Sequence, residues 1–277
     1  EKPLGLNAAE TRAMFDCASR NDRLLVEAVW NRWHPRHRRL VDVVTSESIG
    51  VLEHIETAFT FTSDTTDNYR FDPTMGGGAL LDVGCYQAQL WVALTDGATD
   101  LQIHELSRVI GPTGVDLTTD VSVRIDDSVT ARSVSSFAMP SQQQIVVRGS
   151  EGQVSTEAGE SFTTWNEECS LRVNGAVEEF ATTNAFVEMV ENVSRVIEGH
   201  EGWLVPPEDS IRVAEILDAI ANHAGPASAK TQAGAIPDAR RSRRRSDTRA
   251  LFSIRRISAS RARLPSSLRP VMVSTAH

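Results

Sequence analysis

The residues from 76 to 86 decide the fold of this chain, and they read Gly-Gly-Gly-Ala-Leu-Leu-Asp-Val-Gly-Cys-Tyr. Glycine tolerates backbone angles that other residues avoid, so the triple glycine predicts a tight turn and allows close approach to a ligand. The residues that follow predict a helix, in which Asp82 and Tyr86 lie one turn apart on the same face. A carboxylate beside a phenol is a candidate proton-handling pair. The alternative is an ordinary loop-to-helix junction, with Asp82 solvated and Tyr86 half-buried.

Three other segments carry motifs that belong with this stretch. The chain opens with Glu-Lys-Pro, residues 25–35 read Leu-Val-Glu-Ala-Val-Trp-Asn-Arg-Trp-His-Pro, and residues 186–193 read Phe-Val-Glu-Met-Val-Glu-Asn-Val. Together, the four motifs resemble the glucose-fructose oxidoreductase / inositol dehydrogenase (Gfo/Idh/MocA) family, and within it the dimeric dihydrodiol dehydrogenase branch. The resemblance covers residues 1 to about 224.

The resemblance implies an α/β part followed by an α+β part. Members of the family begin with a Rossmann domain, whose first strand-to-helix turn carries Gly-x-Gly-x-x-Gly and seats the cofactor pyrophosphate. That motif does not occur in this sequence. We therefore interpret residues 1–33 as the C-terminal remnant of an NAD(P)-binding Rossmann domain that has lost two or three βαβ units, on the order of 90 residues. The alternative is a natural protein that never had this domain.

Residues 34–229 have the pattern of the second domain of the family, a mostly antiparallel sheet with helices. Several strand-like runs follow one another with no helix between them, which favours antiparallel pairing. These runs are 101–110, 115–125, 129–137, 144–148 and 152–155. Further strands are expected at 24–29 and 51–61, and helices at 8–20, 36–44, 184–198 and 207–222. An exposed sheet face needs covering, so we expect a homo-oligomer.

Composition indicates a globular protein with a sizeable core. The chain has 277 residues, of which 40% are hydrophobic and 23% charged. No apolar run approaches the roughly 20 residues that span a bilayer, so we expect no membrane association. The three cysteines are widely scattered, which favours a reducing cytoplasm over a disulfide framework. The seven histidines show no metal-ligand spacing, so we expect no metal.

The C-terminal segment, residues 230–277, differs in character from the rest. It holds eleven arginines and one lysine against two aspartates, while the whole chain has a net charge of -9. This Arg-rich tail has little amphipathic period and is interpreted as disordered. Clustered arginines could form a nucleic-acid-binding arm. We favour translation out of frame, because the family resemblance ends where the tail begins, and we expect no nucleic-acid partner.

The resemblance assigns catalytic roles to Lys2, Asp82 and Tyr86. Tyr86 is the expected general acid/base. Lys2 would lower the phenol pKa, because a nearby ammonium favours the phenolate, and it would hold the nicotinamide ribose. Asp82 would orient either the substrate or Lys2.

Further positions of the family pattern suggest contacts with ligands. Lys2, Pro3 and Arg32 are the expected cofactor-binding residues, although a surface salt bridge would equally account for Arg32. The Lys2–Pro3 peptide bond is often cis in the family, whereas trans is the general expectation for proline. Trp30 and Phe59 are the expected substrate-binding residues, with plain core aromatics as the alternative.

The expected function is that of an NAD(P)-dependent oxidoreductase. It would transfer hydride between a nicotinamide cofactor, NADP or NAD, and the hydroxyl or carbonyl carbon of a sugar, polyol or dihydrodiol-like small molecule. The cofactor supplies this reaction, and the protein supplies orientation and proton handling. We expect the chain as given to be an inactive or impaired fragment. The alternative is a non-catalytic dimerisation or scaffold module.

Overall fold

The computed structural model describes residues 1–63, 68–98, 100–156 and 161–223. The Arg-rich tail at 230–277, with its expected disorder and out-of-frame origin, lies outside the described residues. Within the described part, one mixed sheet is combined with α-helices that pack on it.

The centre of the fold is an eight-stranded sheet with the order β2-β3-β4-β1-β5-β6-β7-β8. Its strands are β1 Leu52–Thr62, β2 Leu101–Ile110, β3 Asp116–Ile125, β4 Val129–Ser136, β5 Ala138–Gly149, β6 Gly152–Thr156, β7 Cys169–Val173 and β8 Ala176–Phe180. β1 runs parallel to β4, and the other neighbouring strands are antiparallel. The predicted mostly antiparallel sheet is therefore confirmed.

The helices begin and end close to the predicted residues. They are α1 Ala8–Arg20, α2 Pro35–Thr45, α3 Cys85–Leu94, α4 Ala185–Ile197 and α5 Pro207–Asn222. Two of them start at asparagine caps, because the Asn7 side chain accepts from the Glu10 N–H and the Asn184 side chain accepts from two backbone N–H groups. A 3-10 turn, Trp30–Trp33, precedes α2, and a π-helical turn, Leu80–Gly84, leads into α3.

The core lies between the sheet and helices α2, α3 and α5. α3 is buried along nearly its whole length, since its side chains are apolar or neutral amides. Along β1, buried Ile55, Thr57 and Phe59 alternate with less buried residues, which is the pattern of a strand with one face on the core. The opposite face of the sheet carries accessible ion pairs.

The described strands differ from the expected ones in two places. Residues 24–29 do not form a strand, because this segment pairs with none of the described strands, and a strand exists only through such pairing. The hairpin of β7 and β8 was missed. Its turn residues Asn174 and Gly175 both have positive φ, which is typical of the Asn-Gly turn between two short strands. The assignment of residues 1–33 to a Rossmann remnant stays a prediction.

Candidate active site

The glycines at 76–78 pack against the protein's own groups. A Cβ on Gly77 would lie 2.6 Å from the Arg70 carbonyl oxygen, and one on Gly78 would overlap the Asp116 carboxylate. Gly78 also has a φ of 119°, which L side chains rarely adopt. The protein itself therefore occupies the space beside Gly77 and Gly78, whereas Gly76 is part of the lining of the cavity described below, so the close approach to a ligand stays a prediction.

The π-helical turn Leu80–Gly84 orients the two predicted proton-handling residues. It carries Asp82, and α3 follows immediately with Tyr86 near its start. Turns with π-helical bonding occur frequently at functional sites. Asp82 is 9% exposed and Tyr86 is 7% exposed, so neither matches the solvated or half-buried alternative.

Lys2 reaches this turn from the N-terminal segment. Its Nζ donates to Asp82 Oδ1 at 3.0 Å and also to the Asp82 main-chain oxygen, and it lies 4.7 Å from the centre of the Tyr86 ring. The Lys2–Pro3 peptide bond is cis. Burial lowers the pKa of Lys2, but its acidic neighbours Cys85, Tyr86 and Asp82 outweigh it, so the net pKa is raised, and at neutral pH the Asp82 carboxylate is its anionic partner. Lys2 is therefore an ammonium at neutral pH.

The Asp82 carboxylate is shared between two cations. Its second oxygen accepts from Arg70 Nε at 2.7 Å, while the first accepts from Lys2. Asp82 was expected to orient either the substrate or Lys2. The geometry favours Lys2, because both carboxylate oxygens already have cationic partners. Asp82 thus fixes the position of the ammonium over the Tyr86 ring.

Tyr86 keeps its proton at neutral pH. Burial raises its pKa to about 12, and the Lys2 ammonium, which lowers it, does not offset this. Lys2 lowers this pKa as expected, but the net pKa is raised, because the side chain is almost fully removed from water. The phenol oxygen accepts a hydrogen bond from Trp30 Nε1 at 3.0 Å. Its own O–H therefore remains available to donate.

Aromatic side chains surround the phenol. Trp30 and Phe59, the predicted substrate-binding residues, lie with ring centres 6.1 and 6.0 Å from Tyr86. Sequence reasoning missed Phe162, which stacks on Phe59 at 5.3 Å, and Phe186, which lies 5.2 Å from Trp30. Phe186 is the first residue of the motif quoted at 186–193, so the family resemblance pointed to the segment that contains it.

These aromatics extend from the buried phenol to the surface. Trp165 lies 5.8 Å from Phe186 in an edge-on arrangement. Trp165 is 36% exposed and Phe186 is 42% exposed, whereas Trp30 is buried. The row Trp165–Phe186–Trp30 therefore forms a continuous apolar surface that leads inward to Tyr86. We call it the aromatic row.

Arg32 lies in the interior beside α3 and α5. Its guanidinium donates to Gln89 Oε1 and to Asp209 Oδ2, each at 3.0 Å. Arg32 is 7% exposed, so its salt bridge with Asp209 is buried and is not the surface salt bridge offered as the alternative. A role of Arg32 at a cofactor phosphate stays a prediction.

A cavity of about 220 Å³ lies on the solvent side of Lys2 and Asp82. Its lining includes Lys2, Pro3, Leu4, Tyr69, Met75 and Asp82. Apolar walls with a few polar groups, here the Lys2 ammonium and the carboxylates of Glu10 and Asp82, are typical of small-molecule sites. Among the described residues, no group of three or more His, Cys, Asp or Glu side chains is arranged to hold a metal ion.

Asp116 on β3 holds the start of the helical turn that carries Asp82. Its Oδ2 accepts from the Leu80 backbone N–H at 2.9 Å and from Thr119 Oγ1 at 2.8 Å. The turn has no side-chain cap of its own, so this carboxylate satisfies an N–H that would otherwise lack a partner. Asp116 thus acts as a helix cap supplied by a neighbouring strand.

We expect Asp116→Ala to lower the free energy of unfolding by about 1–2 kcal/mol, the usual cost of losing a helix cap. Urea denaturation measures this loss. Asp116→Asn keeps an acceptor oxygen and should retain most of the stability. Asp120→Ala, on the same strand but in a solvent-exposed ion pair with Arg132, is the matched control and should change little. Equal stability of Asp116→Ala and the unmodified protein would refute the capping role.

Comparison with known proteins gives the family of this chain. Residues 37–155 match the GFO/IDH/MocA C-terminal domain. The chain is 32% identical over 229 residues to D-xylose 1-dehydrogenase (NADP(+)) 2 of Haloferax volcanii, a match that covers 79% of this chain and 68% of that protein. It is 29% identical over 180 residues to trans-1,2-dihydrobenzene-1,2-diol dehydrogenase of Danio rerio, covering 65% of this chain and 52% of that protein.

A solved structure shows the same fold. KijD10, a 3-ketoreductase from Actinomadura kijaniata crystallised with NADP and TDP-benzene, superposes with a TM-score of 0.70 at 23% identity. The superposition covers 79% of this chain and 68% of that one. The chain therefore spans about two thirds of the xylose dehydrogenase and of KijD10, and about half of the diol dehydrogenase. By sequence motifs, domain match and fold, this chain belongs to the Gfo/Idh/MocA family of oxidoreductases.

Proposed function

We propose that this protein is an NADP-dependent oxidoreductase that interconverts a hydroxyl and a carbonyl carbon of a sugar, polyol or related diol. The observation that carries the proposal is the contact between Lys2, Asp82 and Tyr86, with a neutral phenol, a fixed ammonium and an aromatic row beside it. Two similar proteins support the substrate class, since one is named for D-xylose and NADP and the other for a dihydrodiol.

The cavity beside Lys2 fits the nicotinamide end of the cofactor. It offers apolar walls from Leu4 and Met75 and a single ammonium from Lys2. When bound, NADP supplies the hydride exchange. Lys2 would donate hydrogen bonds to the ribose hydroxyls, while Pro3 shapes the wall next to it. Asp82 holds Lys2 in place for this contact.

Tyr86 handles the proton of the reaction. In the reducing direction, its O–H donates to the carbonyl oxygen of the substrate, and in the oxidising direction its oxygen takes the proton back. The Trp30 indole already donates to this oxygen, so the phenol proton is free to point at the substrate. The Lys2 ammonium over the ring stabilises the phenolate that forms after donation.

A feature of KijD10 agrees with these roles. Its solved structures include variants in which a lysine or a tyrosine is replaced, and the two residues are as far apart in that sequence as Lys2 and Tyr86 are in this one. We take this spacing as support for assigning Lys2 and Tyr86 to the reaction.

The test is an assay of the protein encoded by the complete gene. NADP and NAD are each supplied with D-xylose, other aldoses, polyols and a trans-dihydrodiol, and the absorbance of the reduced cofactor is followed. We expect turnover with NADP and at least one of these substrates. A folded protein that binds neither cofactor and turns over none of them would favour the scaffold alternative.

We also propose that the protein forms a homo-oligomer through the outer face of its sheet. Ala58 and Val134 lie opposite each other in the register and are both partly exposed, so they form a small apolar centre on this face. The ion pairs of Arg132 with Asp120 and of Arg148 with Glu56 flank it. An apolar centre with a polar rim is the usual anatomy of a protein interface.

We expect Val134→Glu to convert the oligomer into monomers, because it places a charge at the apolar centre of this face. Sedimentation equilibrium measures the mass. Val190→Glu makes the same replacement at an exposed position on α4, outside the sheet, and should leave the oligomer intact. An unchanged mass for Val134→Glu would exclude this face as the interface.

No helix in the described part of the chain is long and apolar enough to cross a membrane.

A further inference from the structure

A small polar cavity of about 10 Å³ lies behind the Trp30–Trp33 turn, on the side away from Tyr86. Its lining includes Trp30, Asn31, His34, His37, Thr156 and Ser161. Asn31, His34 and His37 are 5%, 2% and 7% exposed, so all three are removed from bulk solvent. This volume is about the minimum that holds one water molecule.

Three residues that line this cavity each have a buried polar atom without a protein partner. These atoms are Asn31 Oδ1, His34 Nε2 and His37 Nε2, and none has a hydrogen-bond partner among the described residues. Buried polar atoms in folded proteins are almost always hydrogen-bonded, because leaving them unpaired costs their full desolvation free energy. A shared partner at the cavity would satisfy all three at once.

The hydrogen-bonding roles of these atoms are complementary to water. His34 Nδ1 accepts from the Arg36 backbone N–H at 3.1 Å, so in the neutral imidazole the proton is on Nε2. His34 therefore offers a donor, and Asn31 Oδ1 offers an acceptor. A water molecule can accept from His34, donate to Asn31 and use its remaining capacity on His37 Nε2, which can take either role.

Both imidazoles are neutral at physiological pH. Burial lowers the pKa of His34 to about 4, assisted by the Arg36 charge and opposed by Glu167. Burial lowers the pKa of His37 to about 3, assisted by Arg32, Arg36 and His34. His37 lies on the buried side of α2, where it lines this cavity.

We propose that this cavity is a binding site for one ordered water molecule, held by Asn31 Oδ1, His34 Nε2–H and His37 Nε2. The water fixes the Trp30–Trp33 turn from behind, while the Trp30 indole bonds Tyr86 on the other side. This water site does not depend on the proposed reaction. It would support the Trp30–Trp33 turn, which forms one wall of the candidate active site.

A crystal structure of the unmodified protein, at a resolution that shows ordered solvent, tests the site directly. We expect one isolated density peak in the cavity, about 2.7–3.2 Å from at least two of the three atoms. A cavity without a peak would overturn the proposal. So would side chains turned to bond protein groups directly.

Magnetic relaxation dispersion of water oxygen counts long-lived waters in solution and gives a second test. Asn31→Leu removes the acceptor at similar size, and we expect one fewer long-lived water than in the unmodified protein. Asn31→Asp keeps the acceptor and should retain the count. Thr57→Val removes a buried hydroxyl that does not line the cavity and serves as the control. An unchanged count in a folded Asn31→Leu variant would contradict the proposal, and if that variant does not fold, the crystal structure decides.

The same two histidines make stability depend on pH. Their folded pKa values lie below the unfolded value of about 6.5, so the unfolded chain binds more protons and stability falls as the pH drops from about 6.5 towards 4. We expect the urea midpoint to decrease over this range, and to decrease less in His37→Gln. His200→Gln, at an exposed histidine, should reproduce the unmodified profile. A His37→Gln profile that also matches the unmodified one would disprove a neutral buried His37.

Discussion

Replacing Tyr86 by phenylalanine is expected to reduce turnover of the enzyme by roughly 10²-fold or more, the usual contribution of a positioned acid or base. The ring, its contact with Lys2 and its packing on Phe59 are kept, and only the proton-carrying oxygen is removed. NADP affinity should therefore stay close to that of the unmodified protein, while the urea midpoint should fall modestly, because the buried Trp30 indole N–H loses its acceptor. Steady-state kinetics give kcat and KM, and fluorescence titration gives the cofactor affinity.

A matched variant separates proton handling from the loss of a hydrogen bond. Trp30→Phe also removes the bond between residues 30 and 86 but leaves the phenol in place. We expect it to lower kcat much less than Tyr86→Phe does. If the two variants were equally active, or if Tyr86→Phe kept near-normal turnover, Tyr86 would not be the acid/base.

Replacing Asp82 by alanine is expected to impair both stability and activity. Lys2 and Arg70 would remain as poorly solvated cations without their shared carboxylate, and breaking a buried ion pair in this way costs about 3 kcal/mol. Loss of the Lys2 position should also raise KM for NADP and lower kcat. Urea denaturation and steady-state kinetics on the same preparation measure the two effects.

Two control variants separate the effect of the Asp82 charge from that of losing any carboxylate. Asp82→Asn keeps an acceptor for Lys2 without the charge, so it should fold more stably than Asp82→Ala while remaining impaired in cofactor binding. Glu178→Ala removes a carboxylate from an exposed pair with Arg39 and should have little effect. Asp82→Ala with unmodified stability and kinetics would show that the carboxylate does not hold Lys2.

The sequence by itself determined most of the secondary structure of the described residues. The strand expected at 51–61 and the helices expected at 8–20 and 184–198 lie within one residue of β1, α1 and α4, because such local patterns depend on a few neighbouring residues. The strand expected at 24–29 failed for the opposite reason, since a strand needs a partner that local sequence does not show. Motif resemblance selected Lys2, Asp82 and Tyr86, but not how they meet.

Only the tertiary structure decided the chemistry of the site. Lys2 and Asp82 are 80 positions apart and become hydrogen-bonded through the fold. The direction of the Tyr86 pKa shift depends on burial by distant segments, which outweighs the charge of Lys2. The cap from Asp116 and the stacking of Phe162 on Phe59 likewise join different strands and loops. Desolvation and partner geometry come from contacts between remote residues, so residue types alone do not determine them.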